Sequence, residues 1–154
     1  MNKCLQKIIV ECLNENEDKV VYKKRTDEDR TTITAYIGGE EVGSIGMEIL
    51  FDSYSYEFED IFDEDEFNEL YTDRIVKIED VRVNDNNKGM GIGSELMKRG
   101  MRLMQSQGYK EYFLNASPMG YSGLDLSDLV DFYKKFGFKE LSHQGNNVNM
   151  GITK

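Results

Sequence analysis

Histidine occurs once in this chain of 154 residues, proline once and cysteine twice. A single His143 excludes a histidine-based metal site and a Cys–His–Asn catalytic set, and it reads as a surface or strand residue. Cys4 and Cys12 are too few, and too near the start of the chain, for a disulfide framework; they point to a reducing compartment, the cytoplasm. One proline argues against long ordered linkers. No apolar run approaches the length of a membrane span, and the first residues lack the charged-then-apolar pattern of a secretion signal. No membrane partner is expected. The DxDxDG calcium pattern is absent too, so no metal is expected. Basic residues are outnumbered, 19 against 29 acidic ones, for a formal net charge of −10. Such a field repels phosphates, so nucleic acid is not expected as a partner.

What is present suits one domain over residues 1–154. A chain of this length with 39% hydrophobic residues has enough core to fold alone. Residues 3–13 fit a strand or a short helix equally. Strands are expected over 19–24 and 31–37, joined by a charged turn at 25–30. Gly38-Gly39-Glu40 signals a hairpin leading into a strand over 41–50. An acidic, aromatic insert follows at 51–74, with a short helix expected around 65–71. The β-branched run Ile75, Val76, Ile78, Val81, Val83 predicts a strand over 75–83. A helix over 91–107, a strand over 109–115, a helix over 126–136 and a closing hairpin (138–143 with 147–152) complete the chain. Methionines 97, 101 and 104 are read as core packing. Leu126, Leu129, Val130, Tyr133 and Phe136 form one apolar stripe. Asp125 is placed as its N-cap, and Gly137 as the left-handed residue that ends the helix.

The most informative stretch runs from Val81 to Met97. A strand stops at a polar turn, passes through Gly89, Gly91 and Gly93, and becomes a helix. The first N–H groups of a helix lack intrahelical partners, and the helix dipole places partial positive charge there. Glycine lets a backbone approach an anion closely. A strand, a glycine turn and a helix start therefore make a phosphate-holding unit. The spacing is not that of a P-loop, because Lys98 stands in the wrong place, and a dinucleotide fingerprint would need glycine where Ser94 stands.

Lys88-Gly89-Met90-Gly91-Ile92-Gly93 resembles the pyrophosphate-binding turn of the GNAT acetyltransferase superfamily, and Val81-x-Val83 resembles the end of that family's preceding strand. Lys88 replaces the family's Arg or Gln, and Asp85 sits where proline is common. Asp128-Leu-Val-Asp-Phe-Tyr-Lys-Lys-Phe-Gly-Phe138 is similar to the family's later helix. The resemblance implies an α/β (α+β) fold with a mixed, mostly antiparallel central sheet flanked by helices, its strand pair splayed to hold acetyl-coenzyme A. It further implies an N-acetyltransferase that moves an acetyl group from acetyl-coenzyme A to a primary amine.

The residues implied for the donor are Val81, Arg82, Val83, Lys88, Gly89, Met90, Gly91, Ile92, Gly93 and Ser94. Tyr133 holds the position of the family's general acid. Glu79 and Asp80 are both candidates for the base, and strand alternation is expected to turn them to opposite faces. The insert suggests the acceptor: from Glu57 to Glu69 eight carboxylates interleave with aromatics, with no base among them, a wall suited to a cationic small molecule or peptide. The same pattern also fits an acidic helix anchored by its aromatics. Two other readings stand beside the enzyme: a coenzyme A-binding regulator without catalysis, and an acidic protein-interaction module. A homodimer is compatible with either.

Overall fold

The computed structural model describes residues 19–51, 57–72, 74–118 and 124–154. Segment 3–13, both cysteines, Tyr54 and Tyr56 lie outside the described residues. The elements are β1 (Val21–Asp27), β2 (Arg30–Ile37), β3 (Glu40–Leu50), α1 (Glu64–Leu70), β4 (Ile75–Val83), α2 (Ile92–Ser106), β5 (Tyr112–Ala116), α3 (Leu126–Lys134), β6 (Lys139–Gln144) and β7 (Asn147–Ile152). A short 3₁₀ turn at Asp85–Asn87 links β4 to α2.

The strands form one sheet in the order β1-β2-β3-β4-β5-β7-β6, antiparallel throughout except for β4 and β5. That fold class is the expected one. The expected turn at 25–30 is shorter than the charge run suggested. Arg25–Asp27 and Arg30 belong to the ladder, because β1 is an edge strand that leaves its charged side chains in water. β5 starts three residues later than expected and α3 ends two residues earlier, with Gly137 at φ 96° closing the turn behind it.

Each face of the sheet carries its own core. On one face, Ile92, Leu96, Met97, Met101 and Met104 of α2 and Leu129, Val130 and Tyr133 of α3 pack on Ile45, Met47, Val76, Ile78 and Leu114. The α2 face approaches the sheet closely at Gly100, where a Cβ would stand 2.9 Å from the Met47 sulfur. On the other face, Phe58, Phe62, Phe67 and Tyr71 of the insert pack with Ile75 and Phe113. The insert is therefore anchored by its aromatics. Phe58 and Phe67 are fully buried and present no open ring to a cation, so of the two readings they fit the anchored helix and not the wall. Asp63 caps α1 by a reciprocal pair of bonds with Glu66, its carboxylate accepting from the Glu66 N–H at 2.8 Å.

Candidate active site

Three features meet at the C-terminal end of β4. The first is a splay. β4 pairs with β5 only through Val76, Lys77 and Ile78, opposite Tyr112, Phe113 and Leu114. Beyond this, among the described residues, Asn115 and Ala116 pair with β7 alone and the edge of β4 over Glu79–Val83 makes no ladder on that side. Its N–H and C=O groups are left to bond an extended chain laid along them.

The second feature is the start of α2. Gly91 is the N-cap at φ 77°, a left-handed conformation that side-chain-bearing residues adopt at a cost. No side chain caps the helix; its first backbone bond runs from the Glu95 N–H to the Gly91 carbonyl at 3.0 Å. The amides of Ile92, Gly93 and Ser94 are thereby left over. A Cβ at Gly89 or Gly91 would meet nothing within 4 Å, so the turn faces open space. Val83 and Phe132 of α3 stand beside Gly93, at 3.6 and 3.8 Å from where its Cβ would be. Unpaired amides, partial positive charge and open space fit the diphosphate of coenzyme A.

The third feature is Tyr133. It is 8% exposed, touches Phe132 and Phe138 by its ring, and its hydroxyl makes no hydrogen bond to a described residue. Burial, and then the negative charge of Asp80, push its phenol up to about 12. The α3 stripe is as expected, with Asp125 accepting from the Asp128 N–H at 2.8 Å.

The two carboxylates of β4 depart from strand alternation. Met47 lies opposite Ile78 and Gly46 opposite Asp80, so Glu79 is the extra residue of a β-bulge. Met47, Ile45 and Gly43 lie opposite Ile78, Val81 and Val83, all on the α2 face. Asp80 faces the other way, and so does Glu79, whose carboxylate is ion-paired with Arg30 and lies 3.8 Å from a Cβ built on Gly46. Both carboxylates thus point to the same side, contrary to the expectation.

The bases near the turn are engaged locally. Lys88 bonds Asp85 at 2.7 Å, Arg82 bonds Asp80 at 2.5 Å, and Arg99 bonds Glu95 at 2.9 Å while lying over the Tyr22 ring. Among the described residues, no cluster of three or more His, Cys, Asp or Glu is arranged to hold a metal ion. No helix among them is long and apolar enough to cross a membrane.

Residues 3–138 match the family model described as the Acetyltransferase (GNAT) family. The chain belongs to the GNAT acetyltransferase family. Acetyl-coenzyme A is its cosubstrate. No curated protein matches the sequence. Solved GNAT structures share the fold. The PaiA N-acetyltransferase of Thermoplasma acidophilum, in complex with coenzyme A, aligns with a TM-score of 0.55 at 16% identity, over 99% of this chain and 70% of that one. Arabidopsis thaliana Naa50, in complex with the bisubstrate analogue CoA-Ac-MVNAL, aligns at 0.54 and 20%, over 80% and 72%. A GNAT-family acetyltransferase of Streptococcus pneumoniae aligns at 0.58 and 16%, over 83% and 68%.

In this GNAT acetyltransferase two residues beside the β4 carboxylates escaped the sequence reading. Arg30 and Glu48 sit far from β4 in the chain, and only the strand register brings them to Glu79. No local pattern signals that pairing. His143 lies in β6 and is largely exposed, as expected.

Proposed function

We propose that this chain acetylates a cationic primary amine, carried by a small molecule or a peptide. Acetyl-coenzyme A supplies the activated acyl carbon and the thiol leaving group. In this reading the amides of Ile92, Gly93 and Ser94, opened by Gly89 and Gly91, hold the diphosphate. Met90 and Lys88 flank it on the turn. Backbone groups along Val81, Arg82 and Val83 bind the extended arm of the donor on the free edge of β4. Tyr133 holds the proton that the departing sulfur needs, and Asp80 keeps that phenol protonated by its charge. Glu79, set by the bulge on the acceptor face, takes the proton that the ammonium must lose before nitrogen can attack.

The observation that carries this reading is the buried Tyr133 hydroxyl, without a hydrogen-bond partner among the described residues, beside a strand edge and an uncapped helix start. The cationic class is supported by the acceptor face, where Glu48, Glu57, Glu79 and Asp80 outnumber Arg30, Lys77 and Arg82. Naa50, solved with a bisubstrate analogue that joins coenzyme A to a peptide, keeps a peptide acceptor in view beside a small molecule.

Release of free thiol from acetyl-coenzyme A, followed with polyamines, aminoglycosides and short lysine-bearing peptides, tests this directly. Turnover with one of these classes, falling as salt screens the acidic face, is expected. Donor binding without turnover on any amine would leave the non-catalytic regulator instead.

A further inference from the structure

A row of polar side chains crosses the insert side of the sheet where β4 and β5 part. Asn149 of β7 stands between Val148 and Met150 of the α2-face core, so it turns to the other face, and it is fully buried there. Its Oδ1 accepts from Asn115 Nδ2 at 2.7 Å, and its Nδ2 donates to Ser142 Oγ at 3.0 Å and Gln144 Oε1 at 3.3 Å. Gln144 Nε2 in turn donates to the Asp60 carbonyl of the insert at 3.0 Å. A backbone carbonyl only accepts, so this last bond fixes the sense of every amide behind it. Gln144 must show its NH2 to Asp60 and its oxygen to Asn149. Asn149 must then show its NH2 to Gln144 and its oxygen to Asn115. Asn115 gives its NH2 to Asn149, and its Oδ1 is the end left over. Ser142 fits either sense, because a hydroxyl both donates and accepts.

Asn115 is exposed, and its Oδ1 accepts no bond from a described residue. It is the first residue of β5 past the last β4–β5 pair, as Glu79 is on β4. It stands between Leu114 and Ala116 of the α2-face core, so it shares with Glu79 and Asp80 the face opposite α2. The two strands thus bring a carboxylate and a committed amide oxygen to either side of the gap.

We propose that Asn115 is a specificity-determining residue for the acceptor: the row from the Asp60 carbonyl through Gln144 and Asn149 holds its amide with the oxygen free at the splay, where it accepts a hydrogen bond from an N–H of the entering amine. The inference rests on the acetyl transfer proposed above. An asparagine free to turn over would offer oxygen or NH2 at equal cost and admit donors and acceptors alike. Held in one sense, it favours an amine or ammonium and disfavours a group that only accepts, such as a carboxylate. Gln144 and Asn149 do not touch the acceptor in this reading; they act through Asn115 as positioning residues.

Asn115→Leu, close in shape, removes the oxygen. In thiol release with whichever polyamine, aminoglycoside or lysine-bearing peptide turns over fastest, KM for the amine is expected to rise about 10-fold, with kcat and KM for acetyl-coenzyme A little changed. Gln144→Lys tests the row itself. An ammonium only donates, so it takes both the Asp60 carbonyl and the Asn149 oxygen, which turns Asn149 over and leaves Asn115 with its NH2 outward. Repulsion of the amine by the new ammonium would act equally with and without Asn115, whereas the effect of the row needs Asn115. Gln144→Lys is therefore expected to raise KM for the amine about 10-fold more in the wild-type background than in Asn115→Leu. Equal effects in the two backgrounds, or an Asn115→Leu enzyme with KM for the amine unmoved, would overturn the inference and leave acetyl transfer intact. A wild-type protein that binds the donor and acetylates no amine would bring down the transfer reading, and this inference with it.

Discussion

The Tyr133 side chain shows two forces acting on one proton in the same direction. Removing the phenol from water disfavours phenolate, and the Asp80 charge disfavours it further. The proton is thus retained through the neutral and moderately alkaline range, where the proposed role as donor to the departing thiolate requires it. Tyr133→Phe keeps the ring contacts with Phe132 and Phe138 and removes only the donor. Its kcat is expected to fall about 100-fold, with KM for acetyl-coenzyme A little changed, by steady-state thiol release. Buried phenols also make a prediction for stability. Tyr112, like Tyr133, is pushed up to about 12 by burial, and Tyr71 is raised by burial and the nearby Glu111. The folded state holds these protons while an unfolded chain releases them near pH 10, so it is the folded state that binds more. Stability should accordingly be unaffected by these groups below about pH 9 and fall as pH rises from about 10 to 12, by about 1.4 kcal/mol per pH unit for each phenol still protonated in the fold. Urea unfolding at stepped alkaline pH measures it; Tyr133→Phe should have the shallower slope.

Elements formed where local chemistry and long-range pairing agree. β4 was legible to its exact ends, because a β-branched run stops at a polar turn. The ends of α2 were legible to within a residue, marked by Gly91 and Gly108. The ends of β1 were not, since a run of charges reads as a turn unless one knows that the strand is an edge. The bulge at Glu79 was beyond reach for the same reason. It exists because β3 and β4 must keep register on both sides of it, and neither strand records that alone. Gly43 marks the tightest part of this pairing: a Cβ there would stand 2.7 Å from the Arg82 carbonyl oxygen and 3.3 Å from Ile92. The obstacle is backbone, which cannot swing aside. Gly43→Ala is expected to cost about 1–3 kcal/mol in chemical unfolding. It should also weaken donor binding, because the strand pressed upon is the one whose free edge is proposed to receive the donor.

At the scale of the whole molecule, the sheet separates two tasks. One face, under α2 and α3, builds the splay, the uncapped helix start and the buried phenol. The other is covered at one end by the insert and carries the carboxylates. The aromatics of the insert were legible as core anchors, but only as one of two readings. Their spacing among acids is the same whether the rings line a wall or plug a core, and only the packing with Phe113 and Ile75 separates the two. A chain with net charge −10 still binds a polyanion if a few amides act at close range, since screening confines the wider field to about 8 Å. That local attraction is the point on which donor binding, Tyr133 and the acceptor face all depend. Backbone amide shifts recorded by NMR while acetyl-coenzyme A is added would test it most directly. The largest displacements should fall on Gly91, Ile92, Gly93 and Ser94, with Val81 and Val83 following. Saturable binding that leaves those four amides unmoved would contradict it.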